Sequence, residues 1–211
     1  VEEILYTAME DYAIDVIMGK GVGAQTLRLD LPKFTLIGAT TRFGSLSTPL
    51  RDRFGHIYQL QYYSEDEILE ILKRSTVPLN VDASIEALQL LAQRSRFTPR
   101  IANRILKRAR DYALVNNNSL LDYEVALAVI SMMGIDSLGL DSGDLKLLNI
   151  LARQFKNQPV GISTLAAAMS EEIITIEEVY EPYLLQLGLL ARTTRGRQLT
   201  PKAVMHLKKS E

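Results

Sequence analysis

Between Ser64 and Met132 the chain repeats one device four times: a small polar residue able to cap a helix, then apolar side chains at three- and four-residue spacing. Ser64-x-x-Glu67 forms a capping box ahead of Ile68, Leu69, Ile71 and Leu72. Asp82 or Ser84 opens a second helix (Ile85, Leu88, Leu91), Thr98-Pro99 a third (Ile101, Ile105, Leu106, Ala109) and Asp122 a fourth (Val125, Ala128, Met132). Helices this short are not stable alone and bury their apolar stripes against one another. The stretch 63–134 is therefore expected to be a small helical bundle or lid, with a domain boundary near Tyr63.

The preceding residues, 1–62, have another texture. Ile4, Leu5, Ala8, Met9 and Tyr12 recur with helical spacing and no cap before them, so residues are expected upstream, in a truncated or a processed chain. Ile14, Val16 and Met18, then Leu27, Leu29 and Leu31, alternate on either side of Gly19-Lys20-Gly21, which predicts a β-hairpin with a glycine-rich tip. Phe34 to Gly38 reads as a strand buried on both faces that runs into Ala39-Thr40-Thr41-Arg42. Ser47-Thr48-Pro49 starts a short helix that Gly55 ends, and Tyr58, Leu60 and Tyr62 alternate as one more strand. The carboxyl end of a parallel strand is where open α/β sheets bind ligands, so Thr40 to Arg42 mark a candidate site.

The third region, 135–211, begins with a linker-like stretch, Asp136 to Gly143, and helical Leu147, Leu148, Ile150 and Leu151. Gly161-Ile162-Ser163 starts an alanine-rich helix, and Thr175-x-x-Glu178 caps another that Gly188 stops. Two short strands, Leu189 to Arg192 and Arg197 to Thr200, flank Thr193-Thr194-Arg195-Gly196. Helix, turn, helix and β-wing make a winged helix-turn-helix, a nucleic-acid-binding module.

Composition removes several chemistries. Cysteine is absent, which excludes disulfides and thiolates, and His56 and His206 are too few and too far apart to form a zinc motif. No apolar run reaches the roughly 18 residues of a membrane span and the first residues carry no basic leader, so the cytoplasm is the expected compartment. The net charge of −1 conceals local imbalance. Arg94 to Arg110 holds seven basic residues and no acidic one; from Arg192 onward there are six against one Glu.

The charged candidates keep two readings each. Arg100 lies in the first turn of a helix, where the dipole disfavours a cation: a bound phosphate would offset this, or the side chain points into water or pairs with an acid. Arg51 and Arg53 bracket Asp52 near the ligand edge, either as a finger toward a partner's phosphate or as surface arginines. Thr40 and Thr41 sense a ligand or simply end the strand. The basic run tracks phosphates or is a solvated face; the wing binds DNA or is a solvated tip. The hairpin's Ile17, Met18 and Val22 dock a partner or pack on the sheet, and Tyr12 and Tyr63 cover a purine or belong to the core. No G-x-x-x-x-G-K-[ST] occurs and no apolar strand ends in Asp-Glu, so this chain alone is not expected to hydrolyse ATP.

Five blocks in order resemble the RuvB family: Val1-Glu-Glu-Ile-Leu-Tyr with Met9-Glu-Asp-Tyr12; Leu36-Ile-Gly-Ala-Thr-Thr-Arg42; Pro49-Leu-Arg-Asp-Arg-Phe-Gly55; Thr98-Pro-Arg-Ile-Ala-Asn-Arg104; and Glu181-Pro-Tyr183 with Arg192-Thr-Thr-Arg-Gly-Arg197. The resemblance implies an α/β plus α architecture: part of an AAA+ P-loop domain with a β-hairpin and central strands (1–62), a helical lid (63–134) and a winged-helix head (135–211). It implies a Holliday junction branch-migration ATPase, a homo-hexamer that translocates duplex DNA using ATP and Mg²⁺ in recombination, repair and the SOS response. The resemblance makes Thr41 the strand-end sensor, Arg53 the finger and Arg100 the second sensor. Glu10, Asp11 and Tyr12 line the nucleotide side, Tyr63 lies at the hinge near the base, and Arg192 and Arg197 contact DNA. The Ile14 to Leu31 hairpin would dock RuvA, and RuvC resolvase would join the complex. The phosphate loop and Walker B acids that hold ATP and Mg²⁺ would lie in a missing N-terminal segment. Two other readings fit in part: a winged-helix regulator, which leaves Arg53 and Arg100 unexplained, and a clamp-loader or initiator subunit, which shares the sensors but not the RuvA partner.

Overall fold

A computed structural model describes residues 2–18, 25–116 and 120–209 of the chain, which divide into two units, 1–60 and 61–211. In the first unit, α1 (Glu2–Asp11) leads into an antiparallel hairpin, β1 (Ala13–Met18) and β2 (Gln25–Asp30), in which Ile14 faces Leu29 and Val16 faces Leu27. The glycine-rich tip, with Gly19 to Val22, lies outside the described residues, as do the side chains of Ile17 and Met18. A short helix, α2 (Thr48–Asp52), starts as expected, with the Ser47 hydroxyl accepting from the Leu50 amide and Pro49 in the first turn.

The two further strands expected in this unit do not form. Residues 31–40 and 56–63 join no ladder, and Ile37 and Leu60 are 88% and 90% exposed. The reason is pairing: the described strands of this unit are the two of the hairpin, and they bond to each other. An apolar run without a neighbouring strand cannot satisfy its backbone as sheet. The buried apolar residues described here are only Ala8, Ala13 and Leu50.

The second unit holds two cores. Helices α3 (Glu65–Leu79), α4 (Ile85–Gln93), α5 (Pro99–Val115) and α6 (Tyr123–Met132) form the lid bundle. Ser64 and Glu67 make the reciprocal capping box, whose hydrogen bonds hold the Glu67 carboxyl below its ordinary range, and Ser84 and Asp122 cap α4 and α6. Thr98 precedes α5 as expected, but its hydroxyl donates to the Arg96 carbonyl and makes no cap bond. Ile68, Leu72, Leu91, Ile105, Leu106 and Leu121 are fully buried, each worth about 1.5–3 kcal/mol over an exposed position.

The head comprises α7 (Ser142–Asn149), α8 (Ile162–Met169), α9 (Ile173–Thr175), α10 (Glu181–Gln186), the wing strands β3 (Leu190–Thr193) and β4 (Gly196–Leu199), and α11 (Pro201–Lys209). Single π turns follow α7 at Ile150–Gln154 and join α9 to α10 at Ile176–Tyr180. Thr175 is thus inside the helix that it was expected to cap; the non-helical residue before that helix is Glu172. The expected linker is packed: Asp136 accepts from the amides of Leu138 and Leu140, Leu140 is buried, and Asp141 caps α7 reciprocally with Asp144. Val160 exchanges both backbone bonds with Arg197, adding a third rung to the wing. Only glycine fits beside that rung: a Cβ on Gly196, at φ +133°, would lie 2.2 Å from the Val160 carbonyl oxygen.

Candidate functional site

The wing register sets Arg192 directly opposite Arg197, so both side chains leave the same face of the ribbon. That face meets the start of α10, where Glu181 is 0% exposed. Arg192 donates from Nε to Glu181 Oε2 at 2.7 Å and from Nη2 to the same oxygen. Arg197 donates from Nε to Glu181 Oε1 at 2.6 Å and from Nη2 to Glu177 Oε1 at 2.9 Å. A buried carboxylate persists only with such partners, and its bonds hold the Arg197 guanidinium still more firmly charged than usual. Arg197 keeps 14% of its side chain exposed, whereas Arg192 keeps 50%. The two motif pieces around Glu181-Pro-Tyr183 and Arg192 to Arg197 are therefore halves of one cluster. Arg195, to which no sequence motif assigns a role, stands exposed in the turn at the wing tip, with no side-chain bond among the described residues. Its position between the strand ends was the available signal.

The helix that a helix-turn-helix would insert into a groove has the wrong charge for that task. No Lys or Arg occurs from 157 to 191, a span with five glutamates: Glu171, Glu172, Glu177, Glu178 and Glu181. Phosphates on both sides of a groove would repel this segment. Positive charge on the head is concentrated instead in the wing and α11.

On the lid, the basic run separates into two groups. Arg96 binds Asp141 and Asp144, Arg94 donates to the Ser137 carbonyl, and Arg110 pairs with its neighbour Asp111. Arg100, Arg104, Lys107 and Arg108 are exposed along one face of α5 and make no ion pair among the described residues. Arg100 occupies the first turn, where the unsatisfied amides already concentrate positive charge.

In the first unit, Arg53 turns inward. Its Nη2 meets Glu10 Oε1 at 2.8 Å, its Nη1 donates to the Pro49 carbonyl at 2.7 Å, and it lies over the Tyr6 ring at 4.5 Å, while its buried Nε lacks a partner. Tyr12, at φ +52°, meets Phe34 edge-on, and both line an open pocket with Met9, Leu36 and Arg53. Glu10, Tyr12 and Arg53 are thus brought together. Asp11 pairs with Arg28 at 3.0 Å and Thr41 is exposed beside the Thr40 hydroxyl, which accepts from the Arg42 amide. Arg51 lies over Phe43 and donates to Thr48. Tyr63 is exposed at the start of the second unit. No helix among the described residues is long and apolar enough to cross a membrane.

Comparison with known proteins matches three family models in succession: the Holliday junction DNA helicase RuvB P-loop domain over 1–60, the RuvB AAA lid domain over 63–136 and the RuvB C-terminal winged helix domain over 137–208. The Holliday junction branch migration complex subunit RuvB of Dehalococcoides mccartyi (strain CBDB1) is 55% identical over 207 residues, which are 98% of this chain and 59% of that protein. The chain thus spans about three fifths of the length of that curated relative. Among solved structures, the Thermotoga maritima RuvB Holliday junction branch migration motor superposes with a TM-score of 0.83 at 44% identity, over 99% of this chain and 65% of that one. A point mutant of it gives 0.84 at 45% identity, over 99% and 65%. With all three of its regions matched in order, this chain belongs to the RuvB family.

Proposed function

We propose that this chain is the sensing and DNA-gripping portion of a Holliday junction branch-migration motor. In this reading a hexameric ring translocates duplex DNA with ATP hydrolysis, in the cytoplasm, during recombination, repair and the SOS response. The observation that carries it is the charge layout of the head: the span 157–191, with five glutamates and no Lys or Arg, beside a wing tipped by Arg195. A translocating motor must hold any sequence it passes over, and a backbone grip without groove readout does that. Arg192 and Arg195 reach phosphates from the wing, while Arg197 fixes their platform through Glu181 and adds its outer edge. A sequence-reading regulator would need a helix that DNA does not repel.

The nucleotide-side roles follow the same reading. Arg100, an exposed guanidinium at a helix N-terminus with no ion pair among the described residues, fits an anionic phosphate as the second sensor. Arg53 acts as the finger toward a neighbouring subunit's ATP, with Glu10 as its resting counter-ion. Tyr12 and Tyr63 lie against the base, Asp11 borders it, and Thr41 senses the γ-phosphate. When bound, ATP would supply the phosphoryl group and the free energy of its hydrolysis, and Mg²⁺ would neutralise charge on its phosphates. The phosphate loop that would hold them has no counterpart here, so the chain alone does not turn over ATP. The domains of this reading are 1–62, 63–134 and 135–211. On the hairpin, Ile14, Val16, Leu27 and Leu29 form one aliphatic face, with Val16, Leu27 and Leu29 exposed, which suits it to dock RuvA; RuvC would join the assembled complex.

The test is a titration of unrelated duplexes and a Holliday junction with this chain. Affinities for the unrelated duplexes equal within about threefold support the motor reading, since nonspecific binding is set by phosphates. A preference of more than about a thousandfold for one duplex would overturn it in favour of a regulator.

A further inference from the structure

The covalent connection between lid and head has the makings of a loose hinge. It runs from Gly134 to Leu140 and contains two glycines with left-handed backbones, Gly134 at φ +64° and Gly139 at φ +76°. Yet the turn between α4 and α5 reaches across and fastens to the head on three sides. Arg96 donates from Nε to the Gly139 carbonyl at 2.9 Å, and from Nη2 to Asp141 Oδ2 at 2.8 Å and to Asp144 Oδ2. Its guanidinium lies over the Tyr183 ring at 5.1 Å, and the Tyr183 hydroxyl donates to the Leu138 carbonyl at 2.7 Å. One planar fork therefore touches the connecting segment, the start of α7 and α10. Only an arginine offers donors on two edges and a flat face together.

Around this fork the packing is close. The Arg96 side chain is 12% exposed and Asp144 is fully buried, so parting the two would leave a buried carboxylate without its counter-ion. Phe97, a lid residue by position, packs against the head core. A Cβ on Gly139 would lie 3.1 Å from the Arg94 carbonyl oxygen and 3.3 Å from the Tyr183 hydroxyl. Arg96 and Phe97 both adopt left-handed backbones, φ +55° and +53°, which non-glycine residues hold only where their surroundings enforce it. Two residues after Phe97 begins α5, whose first turn carries Arg100.

We propose that Arg96 is a positioning residue that makes the lid and the winged head one rigid lever, so that a rotation of the Arg100 end of α5 is delivered undiminished to the wing. For its consequence, force on DNA, this rests on the motor reading; the rigidity itself does not. A hinge at Gly134 and Gly139 would absorb motion in a few residues, whereas a buried fork across that hinge forces both modules to move together.

The test uses the absence of native cysteine. Spin labels at Lys73→Cys on α3 and Gln186→Cys on α10, both exposed positions, report the lid-to-head distance. A second pair, Lys73→Cys with Arg104→Cys, reports the lid alone. In the otherwise unaltered chain the lid-to-head distribution should be one peak as narrow as the lid control. The variant Arg96→Gly with Asp144→Asn removes both buried charges and suits the left-handed backbone, so each module keeps its fold. It should broaden the lid-to-head peak at least about twofold and leave the lid control unchanged. Arg96→Lys, which keeps the charge without the fork, should fall between. A lid-to-head peak that stays narrow in the double variant, or is already broad without it, overturns the proposal. Duplex-DNA binding should be retained in the double variant because the wing is untouched. Absence of DNA binding in every form would count against the motor reading and leave the lever standing.

Discussion

The wing arginines and the α5 stripe are equally basic in sequence, yet the structure uses them differently. Arg192 and Arg197 converge on one buried carboxylate, whereas Arg100, Arg104, Lys107 and Arg108 face outward without ion pairs among the described residues. The contrast teaches that a basic motif near DNA-binding geometry is not automatically a set of free charges. What decides is whether an acid is buried beneath it. In the wing, arginine is a structural partner of a buried acid; on α5 it has no such partner among the described residues.

The largest effect expected from this contrast is on stability. Arg197→Ala strips Glu181 of its most buried partner and should destabilise the head by about 3–5 kcal/mol, read from denaturant unfolding of the chain. A loss under about 1 kcal/mol would mean that Glu181 has water or another partner, and the cluster would not be structural.

Asp144 extends the comparison to pH. Burial pushes its carboxyl up to about 6 despite Arg96 beside it. In the unfolded chain it ionises near the ordinary carboxylate value, so between about pH 4 and pH 6 the unfolded state loses its proton first. The contribution is therefore present at low pH and lost as pH rises through about 6, by up to about 3 kcal/mol. Asp144→Asn should abolish that part of the pH slope; an unchanged difference between the two chains from pH 4 to 7 would contradict the assignment.

Gly196→Ala tests the wing's backbone rather than its charges. The added Cβ meets the Val160 carbonyl, so the rung to Val160 should open at a cost of about 1–3 kcal/mol, visible as faster amide exchange at Arg197. At the small end, Arg104→Ala with Lys107→Ala should change unfolding free energy by less than about 0.5 kcal/mol, because both side chains are exposed and neither has an ion pair among the described residues. A larger loss would show that the stripe is not free.

How much of this could be read from the chain follows from where each signal resides. Helix starts were legible because a cap and its apolar stripe are local: Ser64 with Glu67, Ser84 and Asp122 behave as their spacing predicts. The wing was legible for the same reason, shifted by one residue. The strands expected at 34–38 and 58–62 were not, because an apolar run does not reveal whether a partner strand is within reach. Helix α11 was missed although Thr200, whose hydroxyl accepts from the Ala203 amide, and Pro201 announce it. At the candidate sites, the dipole argument singled out Arg100; the structure leaves it exposed, which fits both a side chain in water and one open to a phosphate. Nothing local distinguished Arg96 from the other cations of its run: its partners lie more than forty residues away, across a turn whose left-handed backbone no sequence pattern announced.

The most direct test of the account is the salt dependence of duplex-DNA binding by this chain, with Arg195→Ala and Arg192→Ala beside Arg104→Ala with Lys107→Ala. Each wing substitution should lower the slope of log K against log salt by about one, equally for every duplex sequence, and the α5 pair should leave it unchanged. A slope untouched by the wing substitutions and lowered by the α5 pair would contradict it and move the DNA grip from the head to the lid.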